Sequence, residues 1–236
     1  MASVPMKLLP LSTCTALVPL GEVTTTLNMN FNSHVRGLIL FPRVIVEQLV
    51  GHLLGDGHLS LSHTSITPNF VFVQALAKFS YLWHVYWTLR HYCKSLPKAS
   101  PSYRAGTLCI ALYVYTRSYP LMNYLYSLFY VVGAGGNKIK VITWDLMPYL
   151  TPLAIAYWLM DDGTYRNGIL ILATDGFTFE DVYRLAAMLH YLYGFKVKVQ
   201  KFNNNPRIVF SAADTKVLRS MVLPHMHSSM LYKLGL

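Results

Sequence analysis

TPLAIAYWLMDDG, residues 151–163, is an apolar run that opens on a helix-start signal and stops on two carboxylates and a glycine. Thr151 is a candidate N-cap, and Pro152 suits the first helical position, where its missing N–H is no loss. An earlier stretch, VIVEQLVGHLLGDG (residues 44–57), has the same design and closes on Gly55-Asp56-Gly57. Each reads as a short buried helix ending in a carboxylate and a C-terminal glycine. Asp56 and Asp162 stand 106 positions apart, a spacing that predicts a duplicated unit.

The text after each helix supports the duplication. HLSLSHTS after Gly57 alternates at period two and is followed by FVFVQAL; TYRNGILILAT follows Gly163. Both predict strand pairs. Helices are expected at about Lys78–Tyr92 and Thr178–Tyr193, with closing helices at Leu121–Tyr130 and Ala213–Leu223. Further strands are expected at Thr107–Tyr115, Lys196–Phe202 and Arg207–Ser211, the last two around a turn at Asn203-Asn204-Asn205-Pro206. Each half therefore reads helix, two strands, helix, two strands, helix. The expected organisation is an N-terminal extension (1–43), one repeat (44–140) and a second repeat (141–236).

Composition narrows the class. The chain has 236 residues, 53% of them hydrophobic, with 20 Lys+Arg against 10 Asp+Glu and a net charge of +10. So few acids against so many bases suits a polyanionic partner. Cys14, Cys93 and Cys109 are odd in number and lack both a disulfide framework and a zinc spacing. The longest chargeless stretch, Ser118–Asn137, is broken by Pro120, Asn123 and the glycines at 133–136. It falls short of the ~20 apolar residues of a membrane span, so no membrane partner is expected. The Ser/Thr- and Leu-rich first forty residues are too poor in Arg for a transit peptide and read as a loosely ordered extension.

Three acids carry the candidate chemistry. Asp56, Asp161 and Asp162 sit at the ends of the two apolar helices, where the helix dipole already disfavours negative charge. A bound cation is the natural compensation. A single Asp-Gly would read as a turn; two at matching places in a repeat favour a site. Gly51 and Gly55 would let the helices pack closely, with Ala156 facing them. Packed side by side, the helices would bring Asp56 and Asp162 together as oxygen ligands for Mg²⁺. That is the arrangement for metal-assisted phosphodiester hydrolysis.

LVGHLLGDG (Leu49–Gly57) resembles the nine-residue motif of the LAGLIDADG homing endonucleases, and IAYWLMDDG (Ile155–Gly163) resembles the second copy found in single-chain members. The flanks YLTPLAIAYWLMDDG, FTFEDV and MLYKL (Met230–Leu234) extend the likeness from about residue 45 to 236. The resemblance implies an α+β fold of two pseudo-symmetric αββαββα halves, forming a saddle of antiparallel sheets with the motif helices at its centre. It implies metal binding (Mg²⁺ or Mn²⁺) by Asp56 and Asp162, with backbone carbonyls of Gly55 and Asp161 assisting. It further implies cleavage of both strands of a long asymmetric DNA site to short 3′ overhangs. Lys233 matches one of the family's active-site lysines. For its counterpart Lys138 and Lys140 compete, with Lys140 slightly favoured; phosphate contact without catalysis is the other reading of these lysines. Tyr157, where the first motif has Gly51, departs from the symmetric pattern.

Strand periodicity nominates DNA contacts. Lys196, Lys198 and Gln200 alternate with apolar residues, so they share one sheet face, and Arg207 returns on the partner strand. His58, Ser60, Ser62, Arg104, Thr164 and Arg166 are further candidates. An ordinary solvent-facing amphipathic hairpin is the competing reading. The nine histidines show no zinc spacing. The functional expectation is a monomeric, intron-encoded endonuclease of an organelle, mitochondrion before chloroplast. The alternative is an RNA maturase of the same fold, binding its intron RNA.

Overall fold

The computed structural model describes residues 26–62, 65–104, 106–133 and 137–236, with no side-chain description at Arg104. Cys14 and residues 1–25 of the N-terminal extension lie outside the described residues. So do His63 and Thr64 of the first alternating stretch and residues 134–136 of the glycine cluster. No helix of the described residues is long and apolar enough to cross a membrane.

The chain divides into two compact units, residues 1–46 with 59–123 and residues 47–58 with 124–236. This partition differs from the repeat boundaries at 43/44 and 140/141. Most of the first motif helix is grouped with the second repeat, because it packs against the second motif helix.

In the first unit, β2 (Asn69–Ala75) and β4 (Thr107–Tyr115) pair antiparallel at the middle of a four-stranded sheet. β1 (His58–Ser60) and β3 (Lys98–Arg104) are its edges, giving the order β1-β2-β4-β3. Helix α3 (Phe79–Leu89) buries Tyr81, Leu82, Val85, Tyr86 and Leu89, the 3.6-residue stripe of a helix lying on a sheet. Phe70, Phe72 and Val114 supply the strand side of that core. β3 was not expected: its sequence, KASPSYR, has little strand character. It forms because it is an edge strand, where Pro101 can lack an N–H at no cost to an inner ladder.

The N-terminal extension was expected to be loosely ordered up to residue 43, but its described part, from Thr26 onward, is held in defined structure. Arg117, 8% exposed, donates to the carbonyls of Thr26, Met29 and Cys93 and to Thr26 Oγ1, at 2.5–3.2 Å. Helix α1 (Ser33–Leu38) follows, N-capped by the Asn32 side chain. Helix α2 (Arg43–Leu54) begins in this unit and ends in the other, as α4 (Pro120–Phe129) also does.

In the second unit, α5 (Pro152–Asp162) leads into a sheet of order β7-β8-β10-β9, with β7 at Gly163–Arg166, β8 at Ile169–Ala173, β9 at Lys198–Phe202 and β10 at Asn205–Val209. Both hairpins turn on two residues with positive φ, Asn167-Gly168 and Asn203-Asn204, the geometry that matches strand twist. Helices α6 (Phe179–Tyr193) and α7 (Ala212–Val222) bury Val182, Leu185, Met188, Leu189, Leu218 and Val222 with Leu170, Leu172 and Ile208 of the sheet. Each such side chain contributes about 1.5–3 kcal/mol on burial. A small ribbon, β5 (Tyr130–Val132) with β6 (Lys138–Lys140), precedes α5. The order helix, two strands, helix, two strands, helix is present in both repeats, as expected.

Candidate active site

The site lies in the second unit, where the ends of α2 and α5 meet. Thr151 Oγ1 accepts the Ala154 N–H at 3.3 Å and starts α5 as the N-cap signal predicts. Close helix approach is enforced by glycine. A Cβ on Gly51 would stand 2.4 Å from the Ala154 carbonyl oxygen, and one on Gly55 would stand 2.5 Å from Asp161 Cβ. The facing residues are Ala154, Tyr157 and Asp161, not Ala156 as expected. Tyr157 itself takes part in the close contact, so the departure from the symmetric pattern is accommodated by Gly51 alone.

The glycines that close the two helices are not there for a left-handed backbone. Gly163 has φ −73°, and neither Gly55 nor Gly57 is among the positive-φ glycines. Gly163 is required for space instead: its Cβ would fall 2.4 Å from the Leu159 carbonyl oxygen.

Asp162 is the last residue of α5, half-buried; Asp56 lies in the turn after α2 and is exposed. Burial raises the Asp162 pKa from 3.8 to about 7, with the neighbouring charges of Asp56 and Asp161 adding to the rise and Lys233 and Lys140 opposing it. The three carboxylates thus feel one another across the junction of the two motifs. Asp161 is not a free carboxylate of the cluster: its Oδ2 accepts from His52 Nδ1 at 2.9 Å and from the Asp56 N–H at 3.3 Å.

Two lysines face this cluster. Burial lowers the Lys140 pKa to about 8, against the pull of Asp162, Asp161 and Asp56, which all favour its charged form. Lys138 and Lys140 share a face of β6, two residues apart, but Lys138 is exposed and lies over the Tyr126 ring at 5.4 Å. Lys140, at the inner end of the ribbon opposite Tyr130, is the one beside the carboxylates. The FTFEDV stretch explains its placement. Thr178 and Asp181 form a capping box at the start of α6, and Asp181 Oδ1 accepts the Ile142 N–H just beyond β6.

Lys233 lies in the 3-10 turn Ser228–Leu234, anchored by buried Met230 and Leu234. Its Nζ donates to the carbonyls of Gly163 at 2.8 Å and Asp161 at 3.3 Å. The positive charge expected at the end of α5 is therefore supplied in part by a side chain, and the Asp161 carbonyl already accepts one hydrogen bond.

Part of the set nominated for DNA contact occupies exposed strand positions. Lys198 and Gln200 are exposed on β9, Thr164 and Arg166 on β7, and Ser60 on β1. Lys196 is exposed but precedes β9, and its N–H is held by Asp214 at 3.1 Å. Ser62 is exposed beyond β1, and Arg104 ends β3 opposite Thr107. Arg207 pairs with Gln200 across the ladder, lies 4.1 Å over the Phe202 ring and sits 3.8 Å from Asp175, so it is only partly available. His58 keeps exposed surface, yet partial burial of its ring, and secondarily the Lys140 charge, lower its pKa.

Sequence reasoning missed His52. It was grouped with unassigned histidines, although it stands one helical turn before Asp56, and the doubled Asp161-Asp162 offered a spare carboxylate for it.

The chain matches the LAGLIDADG DNA endonuclease family over residues 46–218. It is similar to the cytochrome b mRNA maturase bI2 of Saccharomyces cerevisiae, 33% identical over 199 residues, which are 81% of this chain and 47% of that protein. The chain thus spans about half the length of that relative. It is also similar to the DNA endonuclease I-ChuI of Chlamydomonas applanata, 24% identical, covering 80% of this chain and 93% of the relative. Among solved structures, that of the homing endonuclease I-WcaI bound to its DNA recognition sequence superposes with a TM-score of 0.73 at 25% identity, over 81% of this chain and 86% of that one. With paired motif helices carrying their carboxylates to one junction, an αββαββα repeat on either motif, and a family match across most of its length, this chain belongs to the LAGLIDADG DNA endonuclease family.

Proposed function

We propose that the protein is a monomeric, site-specific endonuclease that hydrolyses both strands of a long asymmetric DNA site with a divalent cation, Mg²⁺ or Mn²⁺. The observation that carries this reading is the single cluster of Asp56, Asp162, Lys140 and Lys233, each close enough to shift the charge balance of Asp162. The donor set fits a hard cation. Carboxylate oxygens of Asp56 and Asp162 would hold it, with the Gly55 carbonyl nearby. Among the described residues no group of three or more His, Cys, Asp or Glu could hold a metal, so the pair would depend on water and phosphate oxygens to complete the shell. The cation would supply charge neutralisation at the scissile phosphate and activation of the attacking water.

The chain's own residues have separate tasks. Lys140, with its pKa near 8, can exchange a proton at neutral to mildly basic pH, as a general acid or base at a reacting oxygen must. Lys233 is held by the α5 carbonyls and offers its charge to a phosphate beside Asp162. Lys198, Gln200, Thr164 and Arg166 would read or grip the duplex from the second unit's sheet, and Ser60 and Ser62 from the first unit. The first unit supplies eight Lys or Arg and no carboxylate among its described residues, which suits a polyanion.

Cleavage of an intronless-allele or randomised-site library with Mg²⁺ tests the reading. Double-strand cuts at one long site, lost in Asp56→Asn and in Asp162→Asn, are the expected result. A second reading, an intron RNA maturase, is favoured by the name of the yeast relative. Specific binding to structured intron RNA, with no cleavage of DNA under any metal, would replace the first reading with the second. Expression from an organellar intron, mitochondrial before plastid, accords with both.

A further inference from the structure

His52 has no part in the chemistry above, yet its surroundings are built. The imidazole and the Asp161 carboxylate have no exposed side-chain surface, and Nδ1 stands 2.9 Å from Oδ2. A carboxylate oxygen accepts, so Nδ1 carries the hydrogen. The same Oδ2 accepts the backbone N–H of Asp56 at 3.3 Å. Tyr157 lies against the imidazole with ring centroids 4.7 Å apart, and Gly55 has no room for a Cβ beside Asp161. An unbroken path of hydrogen bonds therefore runs from the last turn of α2, through Asp161 of α5, to the amide of Asp56.

We infer that His52 is a positioning residue: through Asp161 it fixes the backbone at Asp56 and so aims that carboxylate. The inference rests on the nuclease reading for its consequence, not for its geometry. Simple glue between helices is a poor explanation, because a buried hydrogen-bonded pair is often no more stabilising than apolar side chains of the same shape. Leu49, Leu53, Ile155 and Leu159, all fully buried, show that this helix pair uses apolar side chains freely.

The bridge is also one-sided. At the 106-residue repeat spacing, His52 corresponds to Trp158 and Asp161 to Gly55, so the mirror-image bridge cannot form. Asp162 is flanked instead by Gly163, whose carbonyl Lys233 holds. The two carboxylates are kept in place by different devices, and loss of His52 should be felt by one of them.

The test uses the full chain and a supercoiled plasmid bearing its site, with each strand's nicking rate followed separately. The strand served by Asp56 is the one that Asp56→Asn slows more. His52→Leu should slow that strand by about 10- to 100-fold, the usual effect of removing a group that orients a ligand, and leave the other strand nearly unchanged. His52→Asn, whose amide returns a donor to the Nδ1 position, should restore most of the rate. Without metal, hydrogen exchange at the Asp56 amide should quicken in His52→Leu and not in His52→Asn, while affinity for the duplex stays as in wild type. Equal slowing of both strands, or unchanged exchange at Asp56, overturns the inference. If His52→Leu does not fold, His52→Gln, whose amide reaches the Nε2 position instead, carries the same measurements. A wild-type chain that cuts no DNA would sink the nuclease reading alone, and the exchange result would still decide the bridge.

Discussion

Asp162→Asn should make the metal-free protein more stable at pH 8 and leave it nearly unchanged at pH 4. The folded state raises the pKa of this carboxyl from 3.8 to about 7, chiefly by burial and then by Asp56 and Asp161. Between those values the native state holds a proton that the unfolded chain has released. Stability therefore falls as pH rises through this window, by about 1.4 kcal/mol per unit. The shift of about three units corresponds to about 4 kcal/mol at most. That figure already includes the opposing Lys140 and Lys233 charges; because Asp162 keeps some contact with solvent, which screens the charges around it, a gain of about 2–3 kcal/mol is the working figure. For a chain of this length that is about 4–12 °C in melting temperature. Thermal and urea unfolding in chelator at pH 4 and pH 8 would measure it. Added Mg²⁺ should raise the melting temperature of the wild type and not of the variant. A variant less stable than wild type at pH 8, or a pH-independent difference, would show that the Asp162 charge is not held at a cost.

Three further outcomes follow from the same geometry. Gly55→Ala places a Cβ 2.5 Å from Asp161 Cβ and should cost about 1–3 kcal/mol or more in urea unfolding, with cleavage falling as well. If Lys140 acts as a base near its pKa of about 8, the single-turnover rate rises through that pH, and Lys140→Met flattens the rise and lowers the rate by about 10²–10⁴-fold. Lys198→Ala should weaken duplex binding and reduce the slope of log affinity against log salt by about 1, as loss of one phosphate contact does; an unchanged slope would take Lys198 off the interface.

The parts of this fold that were legible in the sequence are those where local chemistry and tertiary structure agree. Thr151-Pro152, the two Asn-containing turns and the alternation of Lys198 and Gln200 each carry their own conformational preference. Strand β3 was not legible, because Pro101 and two serines argue against a strand until an edge position makes them harmless. The close approach at Gly55 was legible, because a glycine one turn from Gly51 on an apolar helix signals packing; the need for Gly163 was not, since its Cβ would meet the preceding turn of its own helix at Leu159. Arg117 gave no local sign of its role, since its partners Thr26 and Met29 lie about ninety residues away. Lys140 could not be separated from Lys138 at a spacing that puts both on one face; depth along the ribbon, a tertiary property, separates them.

The duplication sharpens what a single chain can do that a symmetric pair of identical halves cannot. In two identical halves, any residue that helps one carboxylate helps both, and a helix contact that demands glycine demands it twice. Here Gly51 faces Tyr157, and Gly55 faces Asp161, so each close approach uses a small residue on one helix and a large one on the other. That asymmetry is what leaves room for the Asp161 side chain between the helices, and with it the His52 bridge to the Asp56 amide. Lys233 and the capping box that fixes Ile142 beside Lys140 belong to the Asp162 side and have no need of such a bridge. On the proposed nuclease reading, the relative rates of the two strand cuts become a property that substitutions can tune one half at a time, at His52 on one side and at Lys233 on the other.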